Sequence, residues 1–534
     1  MDSNIEELIM MSISKFIYNK RAQAVACLMA LATSPLLLSS CSDWLDVQPE
    51  TQVREEVMFE KYKGFQDALS GIYLSMADQN VYGKNLTMDM IEMMACLWNP
   101  PTEVGNPSYY YLFTHDYTKS EAANVIQNIY GGLYNIVAQA NNIIVHLQSD
   151  GGVIPTERAR NVIEGEAYAV RAFCQFDILR LFGQMPQNAQ RQVSLPYAET
   201  PSIEVLPTYY AYSDYVKKLE ADLNHAEQLL TQSDPAVSYG YETVSDLNDD
   251  FLTNRRYRMN VWAVKALKAR LYQYVGDAAN ACKYAKEVIN AQANGNVVVD
   301  LAKGDLDGVS LRSSAQAEKD ILYSLPSECL FALSNPQMAD YAVSTVGGTT
   351  GHVVISNAES QNGTRRSTCH LTSDMLSQLF AGQNLTANNR YLKVWEKTSM
   401  DVYGNTFPTI KKYYYDTSYS FTASTIKSLL QIMPLIRLSE LYLIAMETTS
   451  NLSEGNALYK KYMESHAVNI TTDFESLEAL RTEVVNEYRR EFIGEGVMFY
   501  AYKRMGTVNP LWSITPMSDA EYILPLPSTE YESK

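Results

Sequence analysis

Between Met259 and Ile289 the chain spells out two helices and the turn that joins them. Trp262, Ala263, Ala266, Leu267, Ala269, Leu271 and Tyr272 recur three and four residues apart, Gly276-Asp277 interrupts them, and Ala281, Tyr284, Ala285 and Val288 resume the pattern. Residues so spaced share one helix face. Alanines on that face let two antiparallel helices approach closely, and a pair built this way still needs neighbours to bury its remaining apolar side.

The rest of the chain supplies such neighbours. Phe65, Leu69, Ile72, Tyr73 and Met76 predict a first amphipathic helix; Val125, Ile129, Leu133, Ile136, Val137, Ala140, Ile143 and Ile144 predict a long one over 124–147. Another is expected over 156–181, stopped by Gly183, Met185 and Pro186, and a further one over 209–230. Arg437–Thr449 followed by Gly455–Met463 reads as a second helix pair. Both pairs resemble tetratricopeptide units. The expected fold is mainly α: a tetratricopeptide-like scaffold over about 55–290 and 436–510. The text of 290–435 differs, with short β-prone runs and Gly-Gly and Asn-Gly turns, and is expected to form a loop-rich, β-containing region facing ligand. With 534 residues, 46% of them apolar, the chain can bury a large core without staples.

The first forty residues have a different character. Lys15, Lys20 and Arg21 precede an apolar stretch over 22–38, closed by Leu38-Ser39-Ser40-Cys41. This is the layout of an export signal, and its last four residues match a bacterial lipobox, in which Cys41 becomes the lipidated first residue. Residues 1–40 are expected to be removed, leaving 41–534 as one domain. Asp2, Glu6 and Glu7 put acid where a signal carries base, which favours initiation at Met10 or Met11. No second apolar run approaches the ~20 residues needed to span a bilayer, so the lipid is the expected anchor. A formal charge of −18 argues against nucleic acid and anionic membrane surfaces. Cys96, Cys174, Cys282, Cys329 and Cys369 are widely and irregularly spaced, and read as small buried side chains rather than a disulfide framework.

Catalytic signatures are missing from the sequence. The histidines at 115, 146, 225, 352, 370 and 466 fall in no metal-ligand spacing, and His352 with His370 is the one pair whose loops could bring them together. Glu487, Glu491 and Glu495 are four apart, but Arg489 and Arg490 lie beside them, so an ion-pair network is the expectation rather than an acid–base pair for glycoside hydrolysis. Asp246, Asn248, Asp249 and Asp250 form an oxygen-rich run without the glycine and glutamate of a calcium loop; a solvated loop is expected, with structural calcium as the alternative. The aromatic residues carry more information. Tyr109, Tyr110 and Tyr111 follow a polar, Pro-containing break, and Tyr341 precedes Gly347-Gly348. A tyrosine on a loop offers a flat face to a sugar's C–H surface and a hydroxyl to its oxygens. Tyr413-Tyr414-Tyr415 reads as a strand.

Several segments, in order, carry a family resemblance: Cys41-Ser42-Asp43-Trp44-Leu45-Asp46, Ala68-Leu69-Ser70-Gly71-Ile72-Tyr73, and Glu166-Ala167-Tyr168-Ala169-Val170-Arg171-Ala172-Phe173 with Leu181-Phe182-Gly183-Gln184-Met185-Pro186. Ala266-Leu267-Lys268-Ala269-Arg270-Leu271-Tyr272, Arg437-Leu438-Ser439-Glu440-Leu441-Tyr442, Glu487-Tyr488-Arg489-Arg490-Glu491-Phe492 and Leu524-Pro525-Leu526-Pro527 continue it. In these the chain resembles the SusD/RagB family of Bacteroidota outer-membrane lipoproteins. Lys461–Ala467 and Tyr500–Arg504 depart from the family pattern, which bears on the ligand more than on the fold.

The resemblance implies about four helix-pair units, a ligand-holding loop face and a TonB-dependent, SusC-like transporter as partner. It also implies that Trp98 and Asn99 stand in a region that lines the ligand site of glycan-binding relatives. The expected function is capture of a nutrient, foremost an oligosaccharide, at the cell exterior, without catalysis or cofactor. The alternatives are a tetratricopeptide-like scaffold for peptides or proteins and a surface glycoside hydrolase.

Overall fold

The computed structural model describes residues 55–188, 194–201, 208–239, 241, 249–293, 299–301, 305–306, 323–346, 369–400, 406–413, 431–528 and 530. The chain divides into an N-terminal unit, Met1–Glu60, whose described part carries one helical turn over Glu55–Met58, and a body, Lys61–Lys534. Cys41 and the proposed signal lie outside the described residues.

The body is a succession of helix pairs. Helix α1 (Tyr62–Met76) is followed by short helices α2 (Met90–Met94) and α3 (Pro107–Phe113), then by α4 (Ser120–Ser149), α5 (Glu157–Phe182) and α6 (Tyr212–Ser233). Helices α7 (Val261–Val275) and α8 (Ala278–Ala293) come next, and α11 (Leu438–Thr448), α12 (Leu452–Ser465), α13 (Leu477–Phe492) and α14 (Met498–Met505) complete the stack. Helix α1 packs on α4, α5 on α4 and α6, α7 on α6 and α8, and α11 on α8, α12 and α13. The pairs α1/α4, α5/α6, α7/α8 and α11/α12 thus stand side by side as the tetratricopeptide-like reading requires.

Local chemistry sets the helix ends. Asn260 Oδ1 accepts from the N–H groups of Trp262 and Ala263 at 3.0 and 3.1 Å and starts α7. Gly276, at φ +84°, ends the helix in the left-handed conformation that glycine adopts without a Cβ penalty. Thr156 caps α5, its hydroxyl accepting from Ala159 N–H at 3.1 Å. Helix α5 is enclosed on both sides, so charged residues are buried along with its apolar ones. Arg171 meets Asp222 of α6 at 2.5 Å, and Tyr197 donates to the same carboxylate at 2.6 Å. Arg255 joins Asp234 at 2.8 Å and also pairs with Glu166. Each partner satisfies charge that burial would otherwise leave uncompensated.

One two-stranded antiparallel sheet lies between α5 and α6, and two more, with further helices, lie between the last two pairs. Strand β1 (Leu195–Tyr197) pairs with β2 (Thr208–Tyr210), which shortens the helix expected from residue 209 so that α6 begins at Tyr212. Strand β3 (Cys329–Ser334) pairs with β6 (Ile432–Arg437), and β4 (Trp395–Met400) with β5 (Thr406–Ile410). The region expected to be loops and strands also forms α9 (Met338–Thr345) and α10 (Ser373–Leu379), which are too short to show a clear helical period in sequence. Strand β5 ends at Ile410, so Tyr413 is not on a strand; it is buried and donates its hydroxyl to Gly494 O at 2.7 Å. Tyr414 and Tyr415 lie outside the described residues.

Candidate functional site

Four distant segments meet on the loop-bearing side. Asn99 N–H donates to His370 O at 2.9 Å, Cys369 N–H to Thr345 O at 2.8 Å, and Leu371 N–H to Pro408 O at 3.4 Å. Asn99 also donates its side-chain amide to His370 Nε2 at 3.3 Å, and the imidazole packs edge-on against Phe407. The end of the α2 segment, the C-terminus of α9, residues 369–371 and β5 therefore form one floor.

The three tyrosines expected in a loop instead lie on helix α3. Pro107 and the Asn106 cap, which accepts from Tyr109 N–H at 3.3 Å, set its first turn. Helical geometry then separates the rings. Tyr109 points inward and is buried beside Asp89, and burial pushes its hydroxyl well above the usual range. Tyr110 and Tyr111 remain half-exposed with ring centroids 5.5 Å apart in an edge-to-face pair. Lys119 Nζ lies 5.5 Å from the Tyr111 ring centroid, and the Tyr111 hydroxyl donates to Glu103, which raises its pKa to about 12. Tyr341 is half-exposed on α9 and donates its hydroxyl to Gln337 one turn back. Burial, followed by the charges of Asp78 and Asp340, raises its pKa.

Trp98 is the clearest correction. It is fully buried, so neither ring face is open to a ligand. Its Nε1–H donates to Glu92 at 3.1 Å, and Gly494 and Gly496 donate backbone N–H groups to the same carboxylate at 2.7 and 2.8 Å. Gly496 has φ +73°, and a Cβ there would lie 2.3 Å from Leu86 O, so only glycine fits. Burial outweighs the three donors and pushes the Glu92 carboxyl up to about 7. Trp98 thus anchors the floor from beneath.

A buried ionic lattice extends from this anchor. Lys412 pairs with Glu495. Arg437 reaches Glu328, Glu491 and Glu495, each at 2.8 Å. Arg390 bonds Glu487 at 2.7 Å and Glu491 at 3.1 Å, while Tyr462 donates to Glu491 at 3.0 Å. His466 Nε2 lies 3.3 Å from Glu491. The ion-pair reading of Glu487, Glu491 and Glu495 therefore holds, although the main partners come from distant segments. Arg490 pairs with Glu487 at 2.7 Å, but Arg489 bonds Tyr502 instead. The three carboxylates are at most 6% exposed, which leaves no room for a glycosidic bond between them.

The remaining polar candidates are committed locally. His146 faces Asp150 at 2.8 Å, and His225 faces Glu164 at 3.0 Å. His352 lies outside the described residues, as do Asp246 and Asn248. Asp249 accepts from the Tyr62 hydroxyl at 2.6 Å and from Phe251 N–H at 3.0 Å. Among the described residues no cluster of three or more His, Cys, Asp or Glu side chains is arranged to hold a metal.

Residues 43–272 match a SusD-like family model described as starch-binding, associating with the outer membrane. SusD-like protein P2 of Formosa agariphila is 23% identical over 523 residues, covering 93% of this chain and 95% of that protein. Over residues 43–272 the chain is similar to the SusD-like family. The SusD-like fold is shared with a SusD superfamily protein of Bacteroides thetaiotaomicron, at a TM-score of 0.62 and 18% identity over 89% of this chain and 98% of that one. A laminarin-binding SusD-like protein superposes with a TM-score of 0.59 at 16% identity, over 89% and 98% of the two chains. Surface glycan-binding protein A of Bacteroides thetaiotaomicron, solved with laminarihexaose, gives 0.60 at 15% identity over the same shares. Among the described residues no helix is long and apolar enough to cross a membrane.

The family's departures also acquire a place. Tyr462 and His466, from the divergent Lys461–Ala467 segment, are the residues that join Glu491 in the lattice. Sequence reasoning gave Glu92, Arg390 and Arg437 no part in this network, because no spacing links residues that meet only in the fold.

Proposed function

We propose that the protein is a lipid-anchored, surface-exposed glycan-binding protein that passes oligosaccharide to a TonB-dependent, SusC-like outer-membrane transporter and performs no catalysis. The observation that carries this reading is the half-exposed Tyr110–Tyr111 pair on the capped helix α3, within the segment matched by the family model. Two rings held edge to face by a capped helix lose little entropy on binding, and Asn99, His370 and Tyr341 supply polar groups for sugar hydroxyls. The laminarin- and laminarihexaose-binding relatives make a neutral β-glucan the first ligand to try.

Titration calorimetry with laminarihexaose tests this. Binding is expected without turnover of the sugar and without change on adding a chelator, since no cofactor is required. The Tyr110→Ala/Tyr111→Ala double variant is expected to lose at least about tenfold in affinity, about 1.4 kcal/mol. Unchanged affinity in a folded double variant removes the tyrosine platform, and appearance of shorter sugars makes the protein an enzyme. The anchor has its own test. Cys41→Ala expressed in a Bacteroidota host is expected to be released from the membrane fraction, and its continued retention there argues against lipidation at Cys41.

A further inference from the structure

A second opening lies away from the tyrosine platform, where the C-terminal end of α1 and the loop after it face the middle of α4. This cleft has a volume of about 780 Å³. On α4, Gln127, Asn128, Gly131 and Asn135 recur at helical spacing and are all exposed. Across from them stand Leu74, 70% exposed, with Asp78 and Asn80. Val81 and Tyr130 are buried and form the floor. Two adjacent glycines shape the opening. A Cβ on Gly132 would lie 2.8 Å from Val81, so this glycine lets the loop close onto α4, whereas a Cβ on Gly131 would meet nothing within 4 Å.

The lining chemistry selects a ligand class. Asn80, Gln127, Asn128 and Asn135 each offer a donor and an acceptor on one planar amide, the combination that matches neighbouring hydroxyls of a sugar. No Lys, Arg or His lines the cleft, and Asp78 adds negative charge, which excludes sulfated or uronate chains. Leu74, Val81 and Pro527 give small apolar patches suited to C–H faces. A helical or polyproline peptide docks through an apolar or aromatic groove, whereas this lining is mainly amide and acid.

We propose that this cleft is a second saccharide site for neutral oligosaccharide, separate from the tyrosine platform. It rests on the reading of the protein as a glycan binder.

Gly131→Leu fills the cleft from an exposed helical position with free space around it, and leaves the tyrosines untouched. Calorimetry on the full chain with laminarihexaose, maltohexaose and an oligogalacturonate is the experiment, with Asn128→Ala/Asn135→Ala as the second variant should Gly131→Leu not fold. The wild type is expected to take up two equivalents of a neutral hexasaccharide and no oligogalacturonate. Gly131→Leu is expected to take up one, and the Tyr110→Ala/Tyr111→Ala variant to retain the one that Gly131→Leu loses. A wild type with one equivalent, unaffected by Gly131→Leu and abolished by the tyrosine substitutions, overturns the cleft site and leaves the platform standing. A wild type that takes up no neutral sugar overturns both. Unchanged sugar binding by Gly131→Leu together with loss of a co-purifying membrane barrel assigns the cleft to a protein contact and overturns the proposal.

Discussion

Replacing Arg437 by methionine is expected to destabilise the protein by at least about 4 kcal/mol in chemical denaturation, more than any single apolar truncation on the helix faces. The guanidinium is 1% exposed and holds Glu328, Glu491 and Glu495 together at 2.8 Å each. Removing it leaves buried carboxylates facing one another with only Lys412 and Arg390 to share among them. Burial alone would push the Glu491 carboxyl up, but Arg437, with Arg390 and Lys412 adding to it, holds it well below the usual range. Arg437→Lys is expected to recover little, because an ammonium is a point charge and cannot reach three carboxylates as a planar fork does. A methionine variant that unfolds within 1 kcal/mol of the wild type, in the sense of an ordinary surface change, would show that the lattice contributes no stability.

The second large effect is a pH profile with an unusual flat stretch. Burial, and then the charge of Arg390, lower the His466 pKa from 6.5 to about 3. Between those values the unfolded chain binds a proton that the folded one does not, so His466 makes stability fall as pH falls. Glu92 acts oppositely. Its folded pKa of about 7 exceeds the ordinary 4.5, so the folded protein holds the extra proton and stability falls as pH rises through that window. From pH 6.5 to 4.5 the two offset each other. Below 4.5 the Glu92 contribution ends while those of His466 and the depressed Glu491 continue, and these groups are expected to lower stability by more than about 1.4 kcal/mol per pH unit. In His466→Gln the offset is lost, so stability between 6.5 and 4.5 is expected to rise as pH falls. Denaturant midpoints measured across this range decide it, and a sloping wild-type profile with an unchanged variant would refute the assignment.

The helical body was legible because its signal is local. Residues 259–289 and 437–463 carry their period, turn and capping residues within a few positions of one another, and the helices form where that pattern places them. The candidate site was legible only in part. Tyr110 and Tyr111 do face outward, but the reason lies in a short helix whose single apolar turn is too brief to recognise. Trp98 misled because a tryptophan after a short helix reads the same whether its indole meets sugar or a carboxylate, and its acceptor Glu92 is fixed by glycines from the far end of the chain. The same holds for the lattice. Long-range electrostatic partners leave no periodic trace, whereas amphipathic faces do.

The clasp of Glu92 by Gly494 and Gly496 joins residues 402 and 404 positions apart. Trp98 and those glycines share one carboxylate, so the floor above Trp98 depends on the far end of the chain. A chain shortened before residue 496 would keep most of its helix pairs yet lack a seated binding face. Contacts that close over such sequence separation also form slowly.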